Sequence, residues 1–258
     1  MTLITLTSDL GLRDSYVALV KAAILQHIPD SSIIDISHDI EKFNLMQAAY
    51  IFGNAYSHFP ENTIHLVGLK SHTEAKRLLY IELHKQRIIC PDNGFFTLLP
   101  DTYEAKVFYL REKDFPLGLF FLKDSMVKAA ARLLEEKNFI SPCEDYLQLM
   151  QFQPTATPDS IVGRCLHIDS FGNVVTNITQ HFFDLVRKGR KFTIHLPGSQ
   201  INKIVADYGD VPETNALALF NTFGYLEIAI NRAKASQLLF PKNTQTNIDF
   251  NITVQFED

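Results

Sequence analysis

The chain has 258 residues, with 24 Lys plus Arg against 29 Asp plus Glu, 46% hydrophobic residues and 11% aromatics, which is enough apolar side chain for one large core or two smaller ones and excludes wholesale disorder. Twenty Phe and no Trp put the aromatic weight into packing and apolar pocket walls. The formal charge is -5 and the densest basic runs, 187–191 and 85–87, are too short to make a basic face, which excludes duplex nucleic acid as a partner.

Residues 3–6 read as a short strand, and Val17, Val20, Ile24 and Ile28 then recur at three or four residues, the period of an amphipathic helix ended by Pro29. A second β-branched strand spans 32–36. A helical pattern follows at Leu45, Ala48, Ala49, Phe52, Ala55, Tyr56 and Phe59 and stops at Pro60, and a third strand spans 63–69. Alternation of this kind favours parallel pairing through right-handed crossovers. Further strands are expected at 78–83, 87–90 and 105–110, with a tight turn at Pro91-Asp92-Asn93-Gly94 and a helix over 125–136. Residues 139–160 carry Pro142, Pro154 and Pro158 without sustained periodicity and read as a connection between domains.

Beyond it, short runs at 161–168, 174–178, 191–196, 216–220 and 226–230 are separated by Gly, Asn, Asp and Pro, and Ile248, Phe250, Ile252, Val254 and Phe256 alternate with polar residues. The expected fold is an α/β domain with a largely parallel sheet over 1–155, then a smaller, mainly β, barrel-like domain over 156–258, with no internal repeat. Cys90, Cys143 and Cys165 lack metal or disulfide spacing and read as buried thiols. The start MTLITLTSDLG lacks the pattern of a signal segment and no window approaches 18 uncharged apolar residues, so a cytoplasmic protein with no membrane partner is expected.

In an open parallel sheet, ligands bind beyond the carboxyl ends of the strands. Here those ends turn polar together, as Thr7-Ser8-Asp9-Leu10-Gly11, Ser37-His38-Asp39 and Gly68-Leu69-Lys70-Ser71. Ser8, Asp9, Ser37 and Asp39 are equally well read as helix caps. Two later clusters are Asp169-Ser170-Phe171-Gly172-Asn173 through Asn177, where turn chemistry alone does not account for three nearby polar residues, and 220–231, where Asn221 and Asn231 bracket a buried-type strand and suit turns. Dinucleotide, phosphate-loop and nucleophile-elbow motifs are absent. The nine His form no close pair, so no metal site is expected; His38, His65 and His72 read individually as surface or strand-edge residues.

Residues 5–17 (Thr-Leu-Thr-Ser-Asp-Leu-Gly-Leu-Arg-Asp-Ser-Tyr-Val), Ile34-Asp35-Ile36-Ser37-His38, Pro91-Asp92-Asn93-Gly94, 168–178 and 221–229 run in an order that resembles the S-adenosyl-L-methionine hydroxide adenosyltransferases, relatives of the fluorinase and chlorinase. The resemblance implies an α/β domain, a β-barrel-like domain and a homotrimer binding the nucleoside between subunits. It implies S-adenosylmethionine as substrate or ligand, with no cofactor, and attack of water at the ribose C5′ carbon to give adenosine and L-methionine. By motif position Asp9 holds the ribose diol and Phe43 lies against the ligand. Asp169 pairs with the methionine ammonium, Phe171 and Asn173 frame the adenine, and Asn221, Thr222 and Phe223 lie at the methionine and adenine end. The sequence departs from the family where water is handled: Gly68 stands at the usual Asp, Phe121-Leu122-Lys123-Asp124 replaces the stretch with the usual His, and Arg77 alone matches a catalytic position. His72 or Lys70 could substitute. Leu122 offers no donor to a halide, and loss of a general base typically lowers rate about 100- to 10,000-fold. The other readings are a catalytically degenerate nucleoside-binding or structural oligomer, and an enzyme using another nucleophile or nucleoside.

Overall fold

The computed structural model describes residues 1–69, 77–111, 113–136, 138–150, 153–240 and 250–257. The chain divides into two compact units, Met1–Gln151 and Phe152–Asp258.

In the first unit β1 (Thr2–Ser8) buries Ile4 and Leu6 on one face, as alternation dictates. It pairs in parallel with β2 (Ser31–Ser37) on one side and β3 (Ile64–Gly68) on the other. Between β1 and β2 runs α1 (Tyr16–His27), which buries Val17, Val20 and Ile24. The strands β4 (Leu78–Leu83) and β5 (Gln86–Pro91) form a hairpin whose turn residues His84 and Lys85 both take positive φ, 48° and 61°. With β6 (Lys106–Leu110) and β7 (Ile140–Pro142) the sheet runs β2-β1-β3-β5-β4-β6-β7. Pairing is parallel from β2 to β5 and antiparallel beyond it, so the sheet is mixed.

One apolar core joins one face of the sheet to α1 and α3 (Val127–Glu135), and the other covers the opposite face with α2 (Leu45–Gly53). A fully buried Leu, Ile or Phe contributes about 1.5–3 kcal/mol, so these two layers hold the strand ends in place. The helix expected to run to Phe59 ends six residues earlier. Gly53 is a poor helix former and packs against Leu99 and Pro100, the Asn54 amide bonds back to the Tyr50 carbonyl, and a separate 3₁₀ turn spans Tyr56–His58. The stretch read as a bare connection holds β7 and β8 (Thr155–Thr157). Three-residue edge strands leave no periodicity, and an edge accepts Pro142.

The second unit is mainly β: β8, β9 (Ser160–Ile168), β10 (Val174–Thr179), α4 (Gln180–Arg187), β11 (Phe192–Leu196), β12 (Ser199–Ile201), β13 (Ala216–Phe220), β14 (Tyr225–Ile230), α5 (Ala235–Leu239) and β15 (Asn251–Phe256). The sheet runs β12-β11-β15-β9-β10-β14-β13, and a bridge between Ile204 and Ala218 nearly closes it into a barrel. Phe183 fills the interior, edge-on to Phe192 at 5.2 Å and to Phe220 at 5.4 Å. No helix among the described residues is long and apolar enough to cross a membrane.

Candidate functional site

Register brings the polar ends of β1, β2 and β3 together, with Thr7 opposite Ser37 and Ser8 opposite Gly68. Ser8 and Asp9 do not cap α1, which starts at Tyr16 after Ser15, while α2 is capped by Asn44. Asp9 is buried. Its carboxylate accepts the Phe43 amide at 3.3 Å and its carbonyl oxygen accepts from Lys42 Nζ. Phe43 sits at φ 65°, a conformation non-glycine residues occupy at a cost of about 1–3 kcal/mol, and keeps its ring partly exposed.

These residues line a cavity of about 400 Å³ with Tyr16, Gly68, Phe121 and Leu122 among its walls. A Cβ on Gly68 would lie 2.6 Å from Leu122 Cδ2, so Leu122 takes the room that any side chain at 68 would need. Leu122 opens a π-helical turn, Leu122–Met126, ahead of α3. Asp9 and Lys42 are the charged groups among the described lining residues.

Ser8 Oγ hydrogen-bonds His38 Nδ1 at 2.6 Å, Asp35 Oδ1 lies 3.2 Å from His38 Nε2, and Lys21 Nζ is 2.6 Å from Asp35 Oδ2. His38, expected at the surface or a strand edge, follows the edge strand β2 but is a buried link. His65 is buried as well, bonded to Thr5 Oγ1 at 2.7 Å and enclosed by Phe52, Tyr56 and Phe59, and burial pushes its imidazole down to about 4, which keeps it neutral. His72 and Lys70 lie outside the described residues. Arg77 is engaged elsewhere: its Nε donates to Asp92 Oδ2 at 3.0 Å and its Nη2 to Asp145 Oδ1 at 2.8 Å. In the expected 91–94 turn Asp92 also accepts the Leu147 amide, and Asn93 Nδ2 donates to the Leu69 carbonyl, tying the turn to the end of β3.

In the second unit, turn chemistry accounts for Asp169 and Asn173, a correction for two of the three polar residues, with Asn177 outside the turn. Its Oδ1 accepts the amides of Phe171 and Asn173 at 2.9 and 2.8 Å, and its Oδ2 accepts Asn173 Nδ2 at 3.0 Å. Asn221 repeats the pattern, its Oδ1 accepting the amides of Phe223 and Tyr225, both at 3.1 Å. The segments 169–173 and 221–225 thus share one turn geometry. Each exposes its Phe, with Phe171 75% and Phe223 48% accessible, and Thr222 is exposed beside Phe223. Asn177 is buried and accepts the Arg164 amide at 2.7 Å, a bond within the barrel.

Phe171 and Asn173 line a cavity of about 530 Å³ together with Tyr208, Ile230, Arg232 and Lys234. Asn221 reaches it through Glu227: Asn221 Nδ2 donates to Glu227 Oε2 at 3.3 Å, and the Tyr208 hydroxyl donates to Glu227 Oε1 at 2.7 Å. Burial holds the Glu227 carboxyl above the usual range, with Asp169 pushing the same way and the two hydrogen bonds opposing. Sequence reasoning missed Glu227 and Tyr208. A lone charge inside Leu226-Glu227-Ile228-Ala229 was a signal for the first; Tyr208 gave none. Among the described residues no group of three or more His, Cys, Asp or Glu could hold a metal ion.

A family model described as the SAM hydroxide adenosyltransferase N-terminal domain matches residues 4–141, and one for the C-terminal domain of the same family matches 163–248. An (R)-S-adenosyl-L-methionine hydrolase of Methanocaldococcus jannaschii is 28% identical over 251 residues, spanning 93% of this chain and 92% of that protein. A fluorinase of Nocardia brasiliensis is 26% identical over 298 residues, spanning 98% and 97%. A solved structure from Thermotoga maritima, described as an uncharacterized conserved protein, superposes with a TM-score of 0.83 at 25% identity and covers 98% of this chain and 99% of its own. With a family model matching more than half of its length, the chain belongs to the SAM hydroxide adenosyltransferase family.

Proposed function

We propose that this protein binds S-adenosyl-L-methionine and hydrolyses it to adenosine and L-methionine. The observation that carries the reading is the match of both family domains, in order, along a chain whose relatives are named hydrolases and fluorinases. Water oxygen forms a bond to C5′ as the C5′–S bond breaks, the sulfur keeps the electron pair and leaves as a neutral thioether, and the water loses one proton. The leaving group calls for no acid and no cofactor. What the protein supplies is orientation of the water and a path for its proton.

In this reading Asp9 accepts hydrogen bonds from both ribose hydroxyls, which its buried carboxylate suits, and Phe43 packs on the ligand. Asp169 pairs with the ammonium, Phe171 and Asn173 frame the adenine, and Asn221, Thr222 and Phe223 complete that end. Arg77 is given no catalytic part, because Asp92 and Asp145 already hold its guanidinium. Water is favoured over halide, since Gly68, Phe121 and Leu122 offer no side-chain donor to an anion. The free thiols of Cys90, Cys143 and Cys165 suit a reducing compartment, and a cytoplasmic location belongs to the same reading. Assembly as a homotrimer belongs to the same reading, and light scattering tests it.

Incubation with S-adenosylmethionine followed by chromatography is expected to yield adenosine and methionine in equal amounts, slowly, with no halogenated nucleoside when chloride or fluoride is added. No adenosine above a heat-killed control removes the activity. Asp9→Ala is expected to weaken nucleoside affinity by about 1.5–3 kcal/mol, the worth of charge-assisted hydrogen bonds, in calorimetric titration. Unchanged affinity contradicts the ribose assignment.

A further inference from the structure

Glu227 is the single charged residue of β14, opposite Val175 of β10 and Leu219 of β13. Its neighbours Leu226 and Ile228 face the barrel core. Glu227 faces the other way, on the side of Ala229, Leu217 and Leu219, where Val205 and Val211 cover the sheet, and it is only 3% exposed.

A carboxylate so far out of water is costly unless both oxygens find donors. Here both do, and the donors come from separate segments. Tyr208 belongs to a 3₁₀ turn fixed by its own caps: Asp207 Oδ1 accepts the Gly209 amide at 2.8 Å, and Asp210 Oδ2 accepts the amides of Ala206 and Asp207, both at 3.0 Å. Asn221 opens 221–225, the second of two Phe-Gly loops after 169–173, and because its Oδ1 faces the amides of Phe223 and Tyr225, its Nδ2 is aimed by default at Glu227. Tyr208 is in turn a wall of the cavity that Phe171 and Asn173 line.

We propose that Glu227 is a positioning residue for ligand binding: by holding the Tyr208 hydroxyl and the Asn221 amide at once, it fixes one wall of the 530 Å³ cavity and the second Phe-Gly loop relative to the first. This deepens the proposed function and rests on it. Glu227 is no catalytic residue, since Tyr208 and Asn221 occupy both of its oxygens, so its loss acts on affinity and not on the bond-breaking step.

The test is steady-state hydrolysis of S-adenosylmethionine by the full chain, with calorimetric titration of adenosine and a thermal melt for each variant. Glu227→Ala is expected to raise KM about tenfold with kcat within about twofold, and Glu227→Gln, which keeps an acceptor for Tyr208 but sets an amide against Asn221, to recover part of the loss. Tyr208→Phe keeps the ring and the fold while removing one donor, and is expected to raise KM about threefold, so the proposal stands or falls on it if Glu227→Ala does not fold. KM unchanged in folded Tyr208→Phe and Glu227→Gln overturns the proposal, as does a fall in kcat at constant KM. A wild-type protein that neither hydrolyses S-adenosylmethionine nor binds adenosine overturns the functional reading itself, and that outcome is visible before any variant is made.

Discussion

The segments 169–173 and 221–225 share one backbone. In each the first residue accepts the amides two and four positions on, its carbonyl accepts the glycine amide (3.0 Å from Gly172, 2.8 Å from Gly224), its own amide donates to the fifth residue, and the glycine lies at φ 84° or 76°. They differ in the atom left over. Asp169 has a second oxygen, which takes Asn173 Nδ2, whereas Asn221 has an amide, which donates to Glu227. The Phe-Gly loop is thus a way of presenting an aromatic ring, and the chemistry each loop adds is decided by one side-chain atom and its neighbour.

The largest way to break that comparison is to make the loops alike. Asn221→Asp removes the donor to Glu227 and sets a carboxylate against a buried one, with Asp169 already acting on Glu227. A destabilisation of about 3 kcal/mol at neutral pH is expected, from an unsatisfied buried acceptor plus like-charge repulsion. It is read as a lowered melting temperature that recovers on acidification, and a melt matching wild type at pH 7 rejects the account.

The glycines sharpen it further. Both are left-handed, so Ala at either costs about 1 kcal/mol in backbone strain. At Gly172 the added Cβ also lies 2.7 Å from Lys234 Cβ and 3.1 Å from its Cα, whereas at Gly224 nothing lies within 4 Å. Gly172→Ala is expected to destabilise by about 2 kcal/mol and Gly224→Ala by about 1 kcal/mol in urea unfolding. Equal losses show that Lys234 yields without cost.

Much of this was written locally. Val17, Val20 and Ile24 announce α1, and alternation through Ile252, Val254 and Phe256 announces β15. Both Phe-Gly motifs are visible as turns, and Asp9 is visible as a polar residue at a strand end. What the sequence hides is long-range pairing. His38 and His65 read as surface or strand-edge residues because their partners, Ser8 and Thr5, lie 30 and 60 positions away. The space beside Gly68 is filled by Leu122, fifty-four residues on, and Tyr208 gains meaning only from a carboxylate 19 residues later. The early end of α2 comes at Gly53, a poor helix former that the apolar periodicity does not register.

The smallest effect lies in pH dependence, and it separates the two loops by the group only one of them touches. Burial and Asp169 raise the Glu227 carboxyl, with Tyr208 and Asn221 pulling it back. The folded chain then keeps a proton at pH values where the unfolded chain has released it, so more protons are bound in the native state and stability falls as pH rises from the ordinary glutamate range through the raised one. Glu227→Gln abolishes that slope, because an amide does not titrate, while the hydrogen bonds of Asp169 to Asn173 and the loop amides stay in place. Melting temperatures of wild type and Glu227→Gln measured across pH 4 to 7 are therefore expected to diverge, with wild type losing ground to the variant as pH climbs. A constant difference over that range would mean that Glu227 titrates alike in the folded and unfolded chain, and that its burial beneath Tyr208 is not felt by its proton.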